Sequence, residues 1–246
     1  MVVFVIISSN TFVSADSEIT INWPIASIPK GANSAAFAVP RNDWMECFAR
    51  NCKRVKKGQI DLLFQGDSIT AGWNYSSSGM PVWKERYCSF NAATFGIGGD
   101  RTENVLWRIQ NGELDGLSPK LIVLMIGTNN HWNTPAQVAD GIKEIVHEMR
   151  KRCPNTHILL LGIFPRGEKV SDPLRARIKS INKLISTLGI NNKAVSYLDI
   201  GKAFMSEDGT LTKEIMPDFL HLSTKGYRIW ADQIQGIIEK HLSLKK

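Results

Sequence analysis

Ile60-Asp61-Leu62-Leu63-Phe64-Gln65-Gly66-Asp67-Ser68-Ile69-Thr70 is a short apolar run that stops at a glycine and gives way to polar residues. Residues 60–64 have the length of a strand and no helical period. Similar runs recur at 91–95, 121–126, 158–163 and 195–198. Between them lie stretches with helical spacing. The clearest is Pro135 to Arg152, with Thr134 as N-cap, Pro135 in the first position and Gln137 completing a capping box. Val138, Ile142, Ile145, Val146 and Met149 form its apolar stripe. Residues 43–57 read as a helix with Trp44, Phe48 and Val55 turned inward, and further helices fit 102–111 and 172–188. The last helix runs from Thr224 to about Leu242, with Tyr227, Trp230, Ala231, Ile234, Ile237 and Ile238 on one face. Apolar strands that alternate with helices predict a parallel sheet covered on both sides. The expected fold class is a three-layer α/β/α sandwich with a five-stranded parallel sheet.

The chain has 246 residues, enough for one domain with a sizeable core. No internal repeat or linker divides it. Residues 44–246 read as that domain, and 16–43, with Pro24, Pro29, Gly31 and Pro40, as an extended arm laid across it. Residues 1–15 differ: Val2 to Ile7 are apolar, and Val13-Ser14-Ala15 has the small residues that a signal peptidase reads. We expect a signal peptide there and a secreted protein, the alternative being a cytoplasmic one. No stretch after it is long and apolar enough for a membrane span, so stable membrane insertion is not expected. Net charge is +7, but Lys and Arg are scattered and no nucleic-acid signature accompanies them. Cys47, Cys52, Cys88 and Cys153 have no metal-ligand spacing, and the sequence does not pair them.

In a parallel α/β sheet, ligands bind beyond the carboxyl ends of the strands. Polar segments fall at three of those ends: Gly66 to Thr70, Gly96 to Asp100 and Gly127 to His131. A fourth, Asp218-Phe219-Leu220-His221, precedes the final helix. Each alone is an ordinary turn. Together they hold the parts of acyl transfer. A serine hydroxyl (Ser68) needs a base (His221), and the base needs a carboxylate (Asp218) to fix its tautomer. The developing oxyanion needs fixed donors, which the backbone N–H groups of Ser68 and Gly99 and the Asn129 amide can supply. Base, nucleophile and electrophilic help are thus all on the chain, and neither cofactor nor metal is expected.

These blocks resemble the GDSL, or SGNH, hydrolase family: Gly66-Asp67-Ser68, Gly99, Gly127-Thr128-Asn129 and Asp218-Phe219-Leu220-His221 stand in the family's order. The first block ends in Ile69 where the family has leucine. Within the family the chain looks like the platelet-activating-factor acetylhydrolase catalytic-subunit branch and its secreted bacterial relatives. Phe95 to Asp100, Val105 to Arg108 and Phe164 to Lys169 carry that likeness. The resemblance implies a flavodoxin-like sheet, a Ser68–His221–Asp218 triad, an oxyanion hole of Ser68, Gly99 and Asn129, and an acyl pocket bordered by Ile69 and Leu220. Asn130 and His131 are candidates for the substrate rim. Asp67 is expected to brace the nucleophile turn, Trp107 and Arg108 to brace a helix, and residues 72–80 to edge the cleft. Asn74-Tyr75-Ser76 also fits a glycosylation acceptor.

An acetylated carbohydrate such as acetylxylan, or another small acyl ester, is the expected substrate. The alternatives are a phospholipid acetylhydrolase of the platelet-activating-factor type, with room for a homodimer, and a non-catalytic binding module. The last has no need of all five groups. A nucleotide-binding domain lacks its phosphate loop.

Overall fold

Each apolar run forms a strand in the computed structural model, which describes residues 27–190 and 192–242. The segment read as a signal peptide, residues 1–15, lies outside the described residues, as does the arm up to residue 26. The strands are β1 (Leu62–Gly66), β2 (Ala92–Gly96), β3 (Leu121–Met125), β4 (His157–Leu161) and β5 (Val195–Leu198). They make one parallel sheet in the order β2-β1-β3-β4-β5. β1 sits two residues later than its apolar run. Gly66 pairs with Gly96 on one side and Met125 on the other, so the ladder continues past Phe64.

Among the described residues seven α-helices surround the sheet: α1 (Met45–Lys56), α2 (Ser68–Ala71), α3 (Met80–Arg86), α4 (Thr102–Arg108), α5 (Pro135–Arg152), α6 (Pro173–Ile185) and α7 (Thr224–Leu242). The α5 capping box is formed, with Thr134 Oγ1 accepting from the Gln137 N–H and Gln137 Oε1 from the Thr134 N–H. The helix expected over 102–111 stops at Arg108 and passes into a π turn, Ile109–Glu113.

Alternate strand residues feed two cores. Leu63, Ile122, Leu124, Ile158 and Leu160 pack with α4, α5 and α6. Leu62, Phe64, Val123 and Leu159 pack with α7 and an aromatic group that includes Trp73, Tyr87 and Trp230. Both faces of β1 are therefore buried, as parallel sheets require. Trp44 and Phe48 join Trp107 and Ile97 in a smaller cluster.

The chain passes from β1 to β2 on one side and to β3 on the other. This reversal of strand order opens a crevice at the carboxyl ends of β1, β2 and β3. The arm reaches the same end of the sheet. Asn33 Nδ2 donates to the Gln137 carbonyl, Thr102 Oγ1 to the Ala35 carbonyl, and the Val39 N–H to the Glu103 carbonyl. Arg41 then lies on the loop after β2, its Nη1 donating to the Gly98 carbonyl at 3.0 Å.

Candidate active site

β1 ends in Gly66, and Asp67 caps the short α2 that begins at Ser68. Its Oδ1 accepts from the Ile69 N–H at 3.0 Å. Tyr227 on α7 donates its hydroxyl to the Ile69 carbonyl. The turn is thus held from both ends, and Ser68 stands at its corner. At 2.9 Å from Ser68 Oγ lies His221 Nε2, and His221 Nδ1 lies 2.7 Å from Asp218 Oδ2.

The loop before α7 explains that alignment. Asp218 Oδ1 accepts from the N–H groups of both Leu220 and His221, wrapping the chain around the carboxylate. Phe219 takes up the bend with φ +59°. Partial burial works against the Asp218 charge, yet the His221 ring and these two N–H groups hold its pKa below the usual value. The carboxylate accepts, so Nδ1 donates, and Nε2 is left to accept from the serine hydroxyl.

On the neighbouring loops, Gly99 has φ +75°, and its N–H has no acceptor among the described residues. Asn129 uses one amide hydrogen on the Asp100 carbonyl at 2.9 Å, which leaves the other available. Asp100 and Asp67 are fully buried, and burial raises their pKa values to about 6 and about 7. A cavity of about 430 Å³ adjoins Ser68, Asp218 and His221. Gly72, Tyr75, Ser77 and Ser78 form one rim, as expected for residues 72–80, and Leu222 and Tyr227 line it too. A larger cavity of about 610 Å³ lies between α6 and β5 and contains none of these groups.

The residues expected to border the acyl pocket, Ile69 and Leu220, both pack against the α7 core. Ile69 is 1% exposed and packs in the α7 core; like Gly99 and Asn129, it is not among the residues that line this cavity. Leu220 packs partly against the same core, and Leu222 is the leucine that lines the cavity. Asn130 is also not a rim residue. It is 1% exposed, and its amide bonds to Thr102, Glu103 and Asn133. His131 is exposed on the loop after β3, with its pKa lowered by partial burial and by Arg166 and Arg177.

The sequence profile of the GDSL-like lipase/acylhydrolase family matches residues 64–229, two thirds of the chain. The chain belongs to this family. It is a GDSL-type serine hydrolase of small acyl esters. Rat platelet-activating factor acetylhydrolase IB subunit alpha2 is 40% identical over 202 residues, covering 82% of this chain and 86% of the relative. Among solved structures, a GDSL-like lipase from Bacteroides thetaiotaomicron is similar in fold. Its TM-score is 0.61 at 21% identity, over 78% of this chain and 98% of that one. An acetyl-xylooligosaccharide esterase from Geobacillus, in mutant form, gives 0.57 at 17% identity, over 76% and 96%.

Sequence reasoning about this GDSL hydrolase missed Tyr227 and Arg41. Tyr227 carried a signal only as one apolar position of α7. Arg41 carried none, because its partners on the loop after β2, Gly98 and Asp100, stand 57 and 59 residues away.

Proposed function

We propose that this hydrolase removes the acetyl group from a phospholipid of the platelet-activating-factor type, with Ser68 as nucleophile. The bonded series Asp218–His221–Ser68 supports the catalytic part. His221 Nε2 takes the Ser68 proton as Oγ attacks the ester carbonyl, and Asp218 stabilises the imidazolium. The N–H groups of Ser68 and Gly99 and the free hydrogen of Asn129 hold the oxyanion. His221 then gives its proton to the departing alcohol, and water repeats the sequence in reverse to release acetate.

The substrate rests on one observation, the 40% identity to the alpha2 subunit across four fifths of the chain. The likeness to the acetyl-xylooligosaccharide esterase is of fold and does not bear on substrate. The carbohydrate preference drawn from the sequence therefore gives way to the phospholipid. No helix among the described residues is long and apolar enough to cross a membrane, and export by way of residues 1–15 stays within the proposal.

The test is acetate release from an acetylated phospholipid of this type and from acetylated xylan, by wild type and Ser68→Ala. We expect kcat/KM to favour the phospholipid by about tenfold or more, about 1.4 kcal/mol in transition-state binding. Ser68→Ala should lower turnover of both by about 10³-fold or more. A preference for xylan would restore the carbohydrate reading, and normal turnover by Ser68→Ala would remove Ser68 from its role.

A further inference from the structure

Arg108 ends α4 and is fully buried, with all three nitrogens of its guanidinium engaged. Nε and Nη2 lie 2.9 and 2.8 Å from Asp100 Oδ2, and Nη2 also reaches the Gly66 carbonyl at 3.2 Å. Nη1 donates to the Phe95 carbonyl at 3.1 Å and to Glu113. Glu113 is gripped in turn by Asn51 and Gln65. Burial disfavours the Arg108 charge, and the two carboxylates more than offset it.

The groups held this way are those the chemistry needs in register. Gly66 lies two residues before Ser68. Asp100 directly follows Gly99, and its carbonyl accepts from the Asn129 amide. One side chain thus fixes the end of β1, the end of β2 and the loop beyond it, and through Asp100 it aims Asn129. We propose that Arg108 is a positioning residue for catalysis: its fork holds the nucleophile turn and the oxyanion donors in register without touching substrate. The proposal rests on the roles given above to Ser68, Gly99 and Asn129. A purely structural brace would make the fold stable and leave turnover alone. Here the braced atoms lie within two residues of the reacting ones, where a misplacement of about 1 Å can cost about 10²-fold in rate. Lysine keeps the charge but places its donors on a single point, so it does not span Asp100, Gly66, Phe95 and Glu113 together.

The experiment uses the full chain and p-nitrophenyl acetate, at a temperature where near-UV circular dichroism shows each variant folded. Arg108→Lys should lower kcat by about 10- to 100-fold with KM within about threefold of wild type. Combined with Asn129→Ala, its loss should be smaller than the product of the two single losses, because both act on the same donor. Wild-type kcat in folded Arg108→Lys, a change in KM alone, or losses that multiply in full would each overturn the proposal. If Arg108→Lys does not fold, Asp100→Asn decides the question, since it weakens the grip and keeps the shape; unchanged kcat there overturns it equally. Ser68→Ala separates the two readings. An active Ser68→Ala would reject the site itself, whereas an inert Ser68→Ala beside a normal Arg108→Lys would reject the positioning role alone.

Discussion

Asp67 and Asp218 are the two carboxylates nearest in sequence to Ser68 and His221, and their surroundings separate them. Asp218 is half-exposed and accepts from two backbone N–H groups and the His221 ring, which keeps it ionised. Asp218→Asn should therefore leave thermal stability nearly unchanged and lower kcat by about 10³- to 10⁴-fold, through the wrong tautomer of His221. Asp67 is buried with a single bond from the Ile69 N–H, and its other oxygen has no partner among the described residues. Burial lifts its pKa from 3.8 to about 7, with nearby Asp100 adding to the lift. Between those values the folded chain keeps a proton that the unfolded chain has lost. Stability contributed by this group is complete below about 3.8 and declines as pH rises through about 7, by at most about 4 kcal/mol. Asp67→Asn mimics the protonated form, so its Tm should fall less than that of wild type between pH 4 and 7.5. Thermal unfolding across that range checks the slope. A turnover defect in Asp67→Asn with none in Asp218→Asn would reverse the two assignments.

The end of β1 depends on the absence of a side chain. A Cβ on Gly66 would stand 2.2 Å from the Met125 carbonyl oxygen in β3 and 2.3 Å from Thr70 Oγ1. Gly66→Ala should therefore push β1 from β3 and cost about 1–3 kcal/mol, read as a lower urea midpoint. Activity should fall with it, because Ser68 follows two residues later; wild-type stability would mean that the strand ends have slack. The elements differ in how plainly the sequence shows them, and for physical reasons. α5 is legible almost to the residue, since Thr134, Pro135 and Gln137 mark its start and the stripe from Val138 to Met149 spans about three turns. The strand runs are legible in number and order of appearance. Their ends are not: the apolar run reads as Ile60 to Phe64, but Gln65 and Gly66 continue the ladder, the Gln65 amide nitrogen donating to Glu113. α2 has four residues and no period to detect. The Ser68, Asp218 and His221 constellation is legible because residue types and order suffice to suggest it. The fate of Asn130 is not, because Thr102 and Glu103, which claim its amide, lie 28 and 27 residues away. Arg108 reads as a helix brace for the same reason: its bond to Gly66 spans 42 residues.

At the scale of the molecule, the buried apolar walls of the cleft belong to the α7-side core, and they come from separate parts of the chain. Ser68 follows β1, Tyr75 and Ser78 come from the segment before α3, Leu222 precedes α7, and Tyr227 belongs to it. About 430 Å³ is more than an acetyl group fills, so we expect this cavity to take part of the alcohol as well. Acyl length must then be read by the walls closest to Ser68. Leu222 and Tyr227 are 3% and 1% exposed and anchored in the α7 core, so they yield little to a longer chain. One methylene is worth about 1–3 kcal/mol in a hydrophobic pocket, so acetate should exceed butyrate in kcat/KM by about tenfold or more. The burial of Ile69 sharpens the expectation. Ile69→Ala empties part of a core and should cost about 2–5 kcal/mol of stability while leaving the length profile intact. Leu222→Ala removes a wall and should flatten the fall from acetate to butyrate. The measurement is kcat/KM for p-nitrophenyl esters of two to eight carbons, on wild type and both variants, well below each Tm. Flattening by Ile69→Ala alone would return the acyl wall to α2. A wild-type optimum at eight carbons would mean that longer chains leave sideways past Gly72 and Tyr75, and that the rim, not the α7 side, sets the selection.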